Sequence, residues 1–210
     1  MTCAINPPGP DESFTVELLK PQEWYHIYCT EDYPNTATTF NRGWGQTRFA
    51  PIKQGDGSQV HTYYAASTIR CAMLESVLHD VSLDPPGVFE VNRLPDFHLV
   101  RLALDFDIEA VTFHTPFLPR LKLSRTMLIE SHAACYPQTA AWAQAAFQQR
   151  PGTAAIKYGS RRDDEGNCVM LYEQRIRSTP FRVIDDRPLS SPDLRKQFLA
   201  LVRQLGIAEI

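Results

Sequence analysis

The sequence predicts an α+β fold: a single domain with a mixed, mostly antiparallel sheet and packed helices. Strand-like and helix-like segments interleave without a regular βαβ rhythm, which argues against a parallel, doubly wound sheet. The 210 residues, 43% hydrophobic and 21% charged, suit one core that needs no metal or disulfide staple. Sixteen prolines against ten glycines read as stiff loops between short elements rather than low-complexity disorder.

Residues 1–40 open irregularly with Pro7-Pro8-Gly9-Pro10 and then carry Trp24, Tyr25, Tyr28 and Tyr33, as expected of an N-terminal arm packed on the body. Residues 41–210 read as the domain proper. The runs 46–52 and 59–66 read as strands either side of Gly55-Asp56-Gly57, which predicts a hairpin. Alternation in the second run sends Tyr63 and Tyr64 to opposite faces, one to the core and one free to meet a ligand. Ser67 is placed to cap a helix running to about Asp80. Its Ile69, Ala72, Met73, Leu74, Val77 and Leu78 occupy most of the circumference, so this helix is predicted to be buried.

Pro85-Pro86-Gly87 breaks the chain ahead of strand-like runs at 88–91 and 98–106. Residues 139–149 are alanine-rich, with Trp142, Ala145 and Ala146 on one helical face. Three short strands are expected at 154–158, 168–172 and 181–184. The last helix, about 192–205, is the clearest. Ser191 caps it, Pro192 takes the first helical position, Leu194, Phe198, Leu201 and Leu205 form a stripe, and Gly206 ends it.

A net charge of −3 argues against a dedicated nucleic-acid binder. Cys3, Cys29, Cys71, Cys135 and Cys168 are odd in number, widely spaced and without a C-x-x-C, which argues against a disulfide framework or a structural zinc site and for a reducing cytoplasm. Residues 1–14 lack the apolar core of a signal peptide. The uncharged stretch 131–149 holds His132, Pro137 and four glutamines, which would be costly in lipid. A soluble protein with no membrane segment is expected.

Glu75 interrupts the most apolar helix, where an ionised carboxylate must be paired or open onto a polar cleft. His79 follows one turn later, but no H-E-x-x-H group and no evident third ligand accompany it, so no metal site is expected. Arg48, in a strand-like run, is either a solvated residue or an anion clamp. Ser160 follows Tyr158-Gly159 at a strand end and precedes Arg161-Arg162, a place where ligand-binding groups are commonly presented. No G-x-S-x-G elbow, P-loop, Rossmann fingerprint or kinase signature appears.

Arg48-Phe49, Tyr64-Ala65-Ala66-Ser67, Ala72, Glu75 and His79, with Ser160 in Ile156-Lys157-Tyr158-Gly159-Ser160-Arg161, resemble a RES domain over about residues 40–185. That family, named for its Arg, Glu and Ser, supplies the toxins of bacterial RES–Xre type II toxin–antitoxin systems. Phe49 stands where a tyrosine often follows the arginine, and the gap from Arg48 to Tyr64 is long. The resemblance implies an ADP-ribosyltransferase-like fold and an enzyme that takes NAD as substrate, with no cofactor. It would cleave the nicotinamide–ribose bond by hydrolysis, phosphorolysis or ADP-ribosyl transfer.

It further implies catalytic Arg48, Tyr64, Glu75 and Ser160. Arg48, Tyr64, Ser160 and Arg161 would contact NAD, and His79 would lend support from behind. The implied partner is an Xre-type helix-turn-helix antitoxin in the cytoplasm. A RES-like binding module without turnover and a metal-dependent hydrolase are the competing readings.

Overall fold

Short β-prone runs separated by turns assemble into one eight-stranded sheet. The computed structural model describes residues 3–31, 33–176 and 181–210. The strands and helices are β1 (Val16–Leu19), β2 (Gln22–Cys29), β3 (Thr62–Ala66), α1 (Ile69–Glu75), β4 (Val88–Phe89), β5 (Phe97–Leu104) and β6 (Ile108–Thr112). They continue with α2 (Arg125–Leu128), α3 (Tyr136–Gln149), β7 (Ala155–Gly159), β8 (Asn167–Tyr172), β9 (Arg182–Pro188), α4 (Pro192–Gln204) and β10 (Ala208–Glu209). The sheet order is β1-β6-β7-β8-β3-β2-β5-β9, and β4 pairs separately with β10. Within the large sheet only β6 and β7 run parallel; every other neighbour is antiparallel.

Strand alternation divides the apolar side chains between two faces. Ile156, Met170 and Ile27 join a large core with α1, α3 and α4, while Trp24, Tyr63, Val169, Leu171 and Phe181 build a smaller one on the other face. Helix α1 has only seven residues, too few to hold by itself. Burial stabilises it: Cys71, Met73 and Leu74 are fully enclosed, and the turns that follow bury Val77 and Leu78. Glu75 is the one acid in α1 and lies at its last position, at the rim of this apolar mass.

Several sequence expectations change. Residues before 41 do not form an arm laid on the body; they supply β1 and β2, and β2 lies inside the sheet between β3 and β5. The run 46–52 is a loop: among the described residues it joins no strand, and Lys53 just beyond it forms an isolated bridge with Gln59. Arg48, Phe49, Ala50 and Ile52 are all buried, which a two-faced strand would not allow. This loop is moulded on α3: Thr139 Oγ1 donates to the Arg48 carbonyl, and the Gln144 amide bonds Lys53 at both backbone groups, 2.6 and 2.7 Å.

The cap of α1 is Thr68, whose side chain accepts from Cys71 N at 3.0 Å. Ser67 instead ties α1 to β8, accepting from Asn167 N through its hydroxyl at 3.0 Å. A disulfide joins Cys3 to Cys135, with Cα atoms 5.6 Å apart, against the expectation of none. The pair is 132 residues apart in sequence, but the N-terminal segment lies along α3. There Trp142 Nε1 donates to the Asn6 carbonyl at 2.9 Å, and Gln149 bonds Glu12 N and the Gly9 carbonyl. Among the described residues no helix is long and apolar enough to cross a membrane.

Candidate active site

Three neighbouring strands and the end of α1 bring the site together. β7 and β8 are antiparallel, and the turn between them starts at Ser160. Ser160 N donates to the Gly166 carbonyl at 2.8 Å, closing the turn, and Gly166 lies so close to α1 that a Cβ there would come 2.4 Å from Cys71 Sγ. Only glycine fits. The turn is therefore pressed against α1, one helical turn before Glu75.

The Ser160 hydroxyl donates to Glu75 Oε1 at 2.5 Å, and the backbone N–H groups of Arg161 and Arg162 donate to the same oxygen at 2.8 and 3.3 Å. Ser160 Oγ in turn accepts from the backbone N–H of Arg162 and Asp163, 3.0 and 2.9 Å. Oε1 is thus fully engaged. Among the described residues Oε2 takes no hydrogen bond, which leaves one carboxylate oxygen available to a ligand.

Arg48 is buried at 8% exposure, and Thr139 fixes its backbone. Its Nη1 donates to the Leu128 carbonyl, the Ser131 carbonyl and Ser131 Oγ at 3.3, 3.1 and 3.0 Å, and its guanidinium lies 5.2 Å from the centre of the Tyr136 ring. Burial lowers the Arg48 pKa, and the fields of Tyr136, Tyr158 and Glu75 act against that shift. The Arg161 guanidinium reaches the same Ser131 carbonyl at 3.4 Å, so one carbonyl is shared by both arginines.

Of the two tyrosines of β3, Tyr63 is buried in the smaller core and Tyr64 packs against the larger one. The Tyr64 hydroxyl shares a hydrogen bond with Thr47 Oγ1 at 2.7 Å. Burial pushes its pKa up, so it is a neutral phenol.

His79 contributes differently from expectation. Its ring is paired with Asp80 at 2.7 Å, and its backbone carbonyl, not its imidazole, holds the Arg162 guanidinium at 2.9 Å. Arg125 was not singled out from the sequence, yet its Nη2 donates to the Ser160 carbonyl at 2.6 Å while Nε pairs with Glu130. Gly159 permits this approach, since a Cβ there would sit 3.0 Å from Arg125 Nη1. Ser131 was also passed over, being one polar residue in an uncharged stretch. Among the described residues no three His, Cys, Asp or Glu side chains are grouped to hold a metal ion.

Behind Tyr64, His26 Nδ1 lies 2.7 Å from the Tyr64 carbonyl. Burial pulls the His26 pKa from 6.5 down to about 4, outweighing the carbonyl and Asp186, so the ring is neutral and Nδ1–H donates. The unfolded chain binds this proton more readily. Stability from His26 is therefore complete above pH ~6.5 and is lost as pH falls toward ~4. Between pH 7 and pH 5 the wild type should lose about 1–2 kcal/mol more than His26→Gln, measured by urea unfolding.

The RES domain family matches residues 23–190 of the chain. No curated protein matches it. Among solved structures, the crystal structure of the M. tuberculosis MbcT–MbcA toxin–antitoxin complex contains a similar chain, with a TM-score of 0.60 and 14% identity over 86% of this chain and 90% of that one. At that identity the likeness speaks to the fold. The family match spans most of the chain and includes Arg48, Tyr64, Glu75 and Ser160, and this protein belongs to the RES domain family.

Proposed function

We propose that this protein is an NAD-consuming enzyme and the toxin of a toxin–antitoxin pair. The observation that supports the reading best is the Glu75 carboxylate, fixed at one oxygen by Ser160 and two backbone N–H groups and open at the other. In this reading the nicotinamide–ribose bond breaks heterolytically. Its electron pair leaves with nicotinamide, which departs neutral, and positive charge builds on the ribose. Glu75 Oε2 faces that charge and stabilises it without moving, because Oε1 is already anchored.

Arg48 has Nε and Nη2 free of protein hydrogen bonds among the described residues, which suits a bidentate grip on the pyrophosphate. Tyr64 offers a ring face to nicotinamide. Capture of the ribosyl cation by water, inorganic phosphate or a protein nucleophile completes hydrolysis, phosphorolysis or ADP-ribosyl transfer. No metal or cofactor enters. The MbcT–MbcA neighbour, a toxin–antitoxin complex, supports an antitoxin partner, which we take to be an Xre-type helix-turn-helix protein in the cytoplasm.

Purified protein freed of any partner should convert NAD and release nicotinamide, in the presence of a chelator as in its absence. Unchanged NAD after long incubation, with and without phosphate, overturns the enzymatic reading. Loss of activity on chelation overturns its metal-free part. Expression alone should arrest growth, and co-expression of the cognate antitoxin should relieve it.

A further inference from the structure

We infer that Cys3 and Cys135 form a reversible redox clamp on the cradle of Arg48, opened by small thiols and closed by oxidation. The grip of this arginine then follows the thiol state of its surroundings. Only the identity of the ligand that Arg48 grips rests on the NAD reading above. The partners of the Arg48 guanidinium lie within residues 128–136: the Leu128 carbonyl, the Ser131 carbonyl and hydroxyl, and the Tyr136 ring. Cys135 sits between Ser131 and Tyr136 in this stretch and is bonded to Cys3. The Ser131 carbonyl also receives Arg161, so a shift of the stretch reaches two arginines.

Packing restrains the middle of this stretch weakly. His132, Ala133 and Ala134 are exposed, and the covalent tie at Cys135 pins them from one side. Exposed chain with few apolar contacts is where a fold opens first. Residues 5–14, by contrast, hold to α3 without the sulfur bridge. Ile5 and Phe14 are buried in the large core, and the Asn6 carbonyl accepts from Trp142. Gln149 and Arg150 hold the backbone at Gly9 and Glu12. Breaking the bond therefore leaves the N-terminal segment in place and the fold intact, and the freedom gained goes to residues 129–135.

The exchange balances with a small thiol as reductant. Cys135 is buried while Cys3 is partly exposed, so a thiolate attacks the Cys3 sulfur. A mixed disulfide forms at Cys3 as the old S–S bond breaks, and the Cys135 sulfur leaves with the electron pair. It takes its proton beside the imidazole of His132, whose Nε2 lies 3.9 Å away. A second thiol frees Cys3, so two small thiols are oxidised to one disulfide and the protein disulfide is reduced to two thiols. Cys71 and Cys168, 3.7 Å apart, are both buried and take no part.

The test compares full-length wild type and Cys3→Ser in oxidised and in reduced glutathione. Titration after removal of glutathione and unfolding should count three free thiols in the oxidised wild type and five in the reduced. The reduced wild type should stay folded, melt about 5–10 °C lower, and exchange the amides of residues 129–136 at least about tenfold faster. Its KM for NAD should rise about fivefold with a smaller change in kcat. Cys3→Ser should match the reduced wild type in both buffers. A bond that opens only in denaturant, a reduced wild type that unfolds, or amide exchange over 129–136 that ignores the thiol state overturns the clamp. So does a Cys3→Ser protein that still responds to glutathione. NAD turnover with the same KM in both states removes the clamp and leaves the enzymatic reading standing. Thiol-dependent exchange in a protein that leaves NAD intact upholds the clamp and removes the enzymatic reading. Should Cys3→Ser fail to fold, the wild type in the two buffers decides by amide exchange and KM.

Discussion

Glu75→Gln is expected to lower NAD turnover by about 100- to 1000-fold while the protein keeps its fold. The amide oxygen of glutamine can still accept from the Ser160 hydroxyl and the Arg161 and Arg162 N–H groups, so the turn after β7 stays anchored. What disappears is the negative charge at the open oxygen. A neutral amide there presents a dipole, or an N–H, to a ribose that is becoming cationic. The loss therefore falls on the transition state rather than on ground-state binding, and kcat should drop while the Kd for NAD stays within a few-fold. Calorimetry with NAD and a thermal melt separate this from misfolding. Turnover close to the wild type would reduce Glu75 to an anchor for the β7–β8 turn.

Parts of this site can be read from the chain because local chemistry marks them. Glu75 is conspicuous as the acid that follows Cys71-Ala72-Met73-Leu74, and Ser160 as the hydroxyl that follows Tyr158-Gly159 at a strand end. Helix α4 is readable from its Pro192 start, its stripe and Gly206, which adopts φ +72° as the stop requires. The loop bearing Arg48 is different. Its course is set by Thr139 and Gln144 of α3, about ninety residues downstream, and nothing local records that contact.

Arg125 meets Ser160, and Ser131 meets Arg48, across 35 and 83 residues of sequence, so nothing local marks either of them. The aromatic run at 24–28 reads as a packed arm because a strand bordered on both sides by later strands cannot be recognised until β3 and β5 are placed beside it. The Cys3–Cys135 pair was invisible for the same reason: spacing along the chain carries no information on a contact made through α3.

Arg48→Lys should cost at least about 100-fold in kcat/KM for NAD and destabilise the fold by about 1–3 kcal/mol. Arginine divides its donors here. Nη1 serves three acceptors at the end of α2 and just after it, while Nε and Nη2 remain for the ligand. A lysine ammonium is one point on a flexible stem. If it bonds the Ser131 carbonyl it is withdrawn from the ligand, and if it reaches the ligand it leaves the buried Leu128 and Ser131 carbonyls underserved. It also gives up the planar face that lies against Tyr136.

Both losses should appear together, the first in kinetics and the second in urea unfolding. Ser131→Ala serves as the control, since it removes one of the three acceptors and keeps the carbonyl shared by Arg48 and Arg161. That variant should stay within about 1 kcal/mol and a few-fold of the wild type. An Arg48→Lys protein that unfolds more easily but turns over NAD normally would make Arg48 a brace for the segment after α2 and nothing more. One that is as stable as the wild type yet inactive would show that the protein-facing bonds of Nη1 are replaceable and that the ligand-facing nitrogens are not.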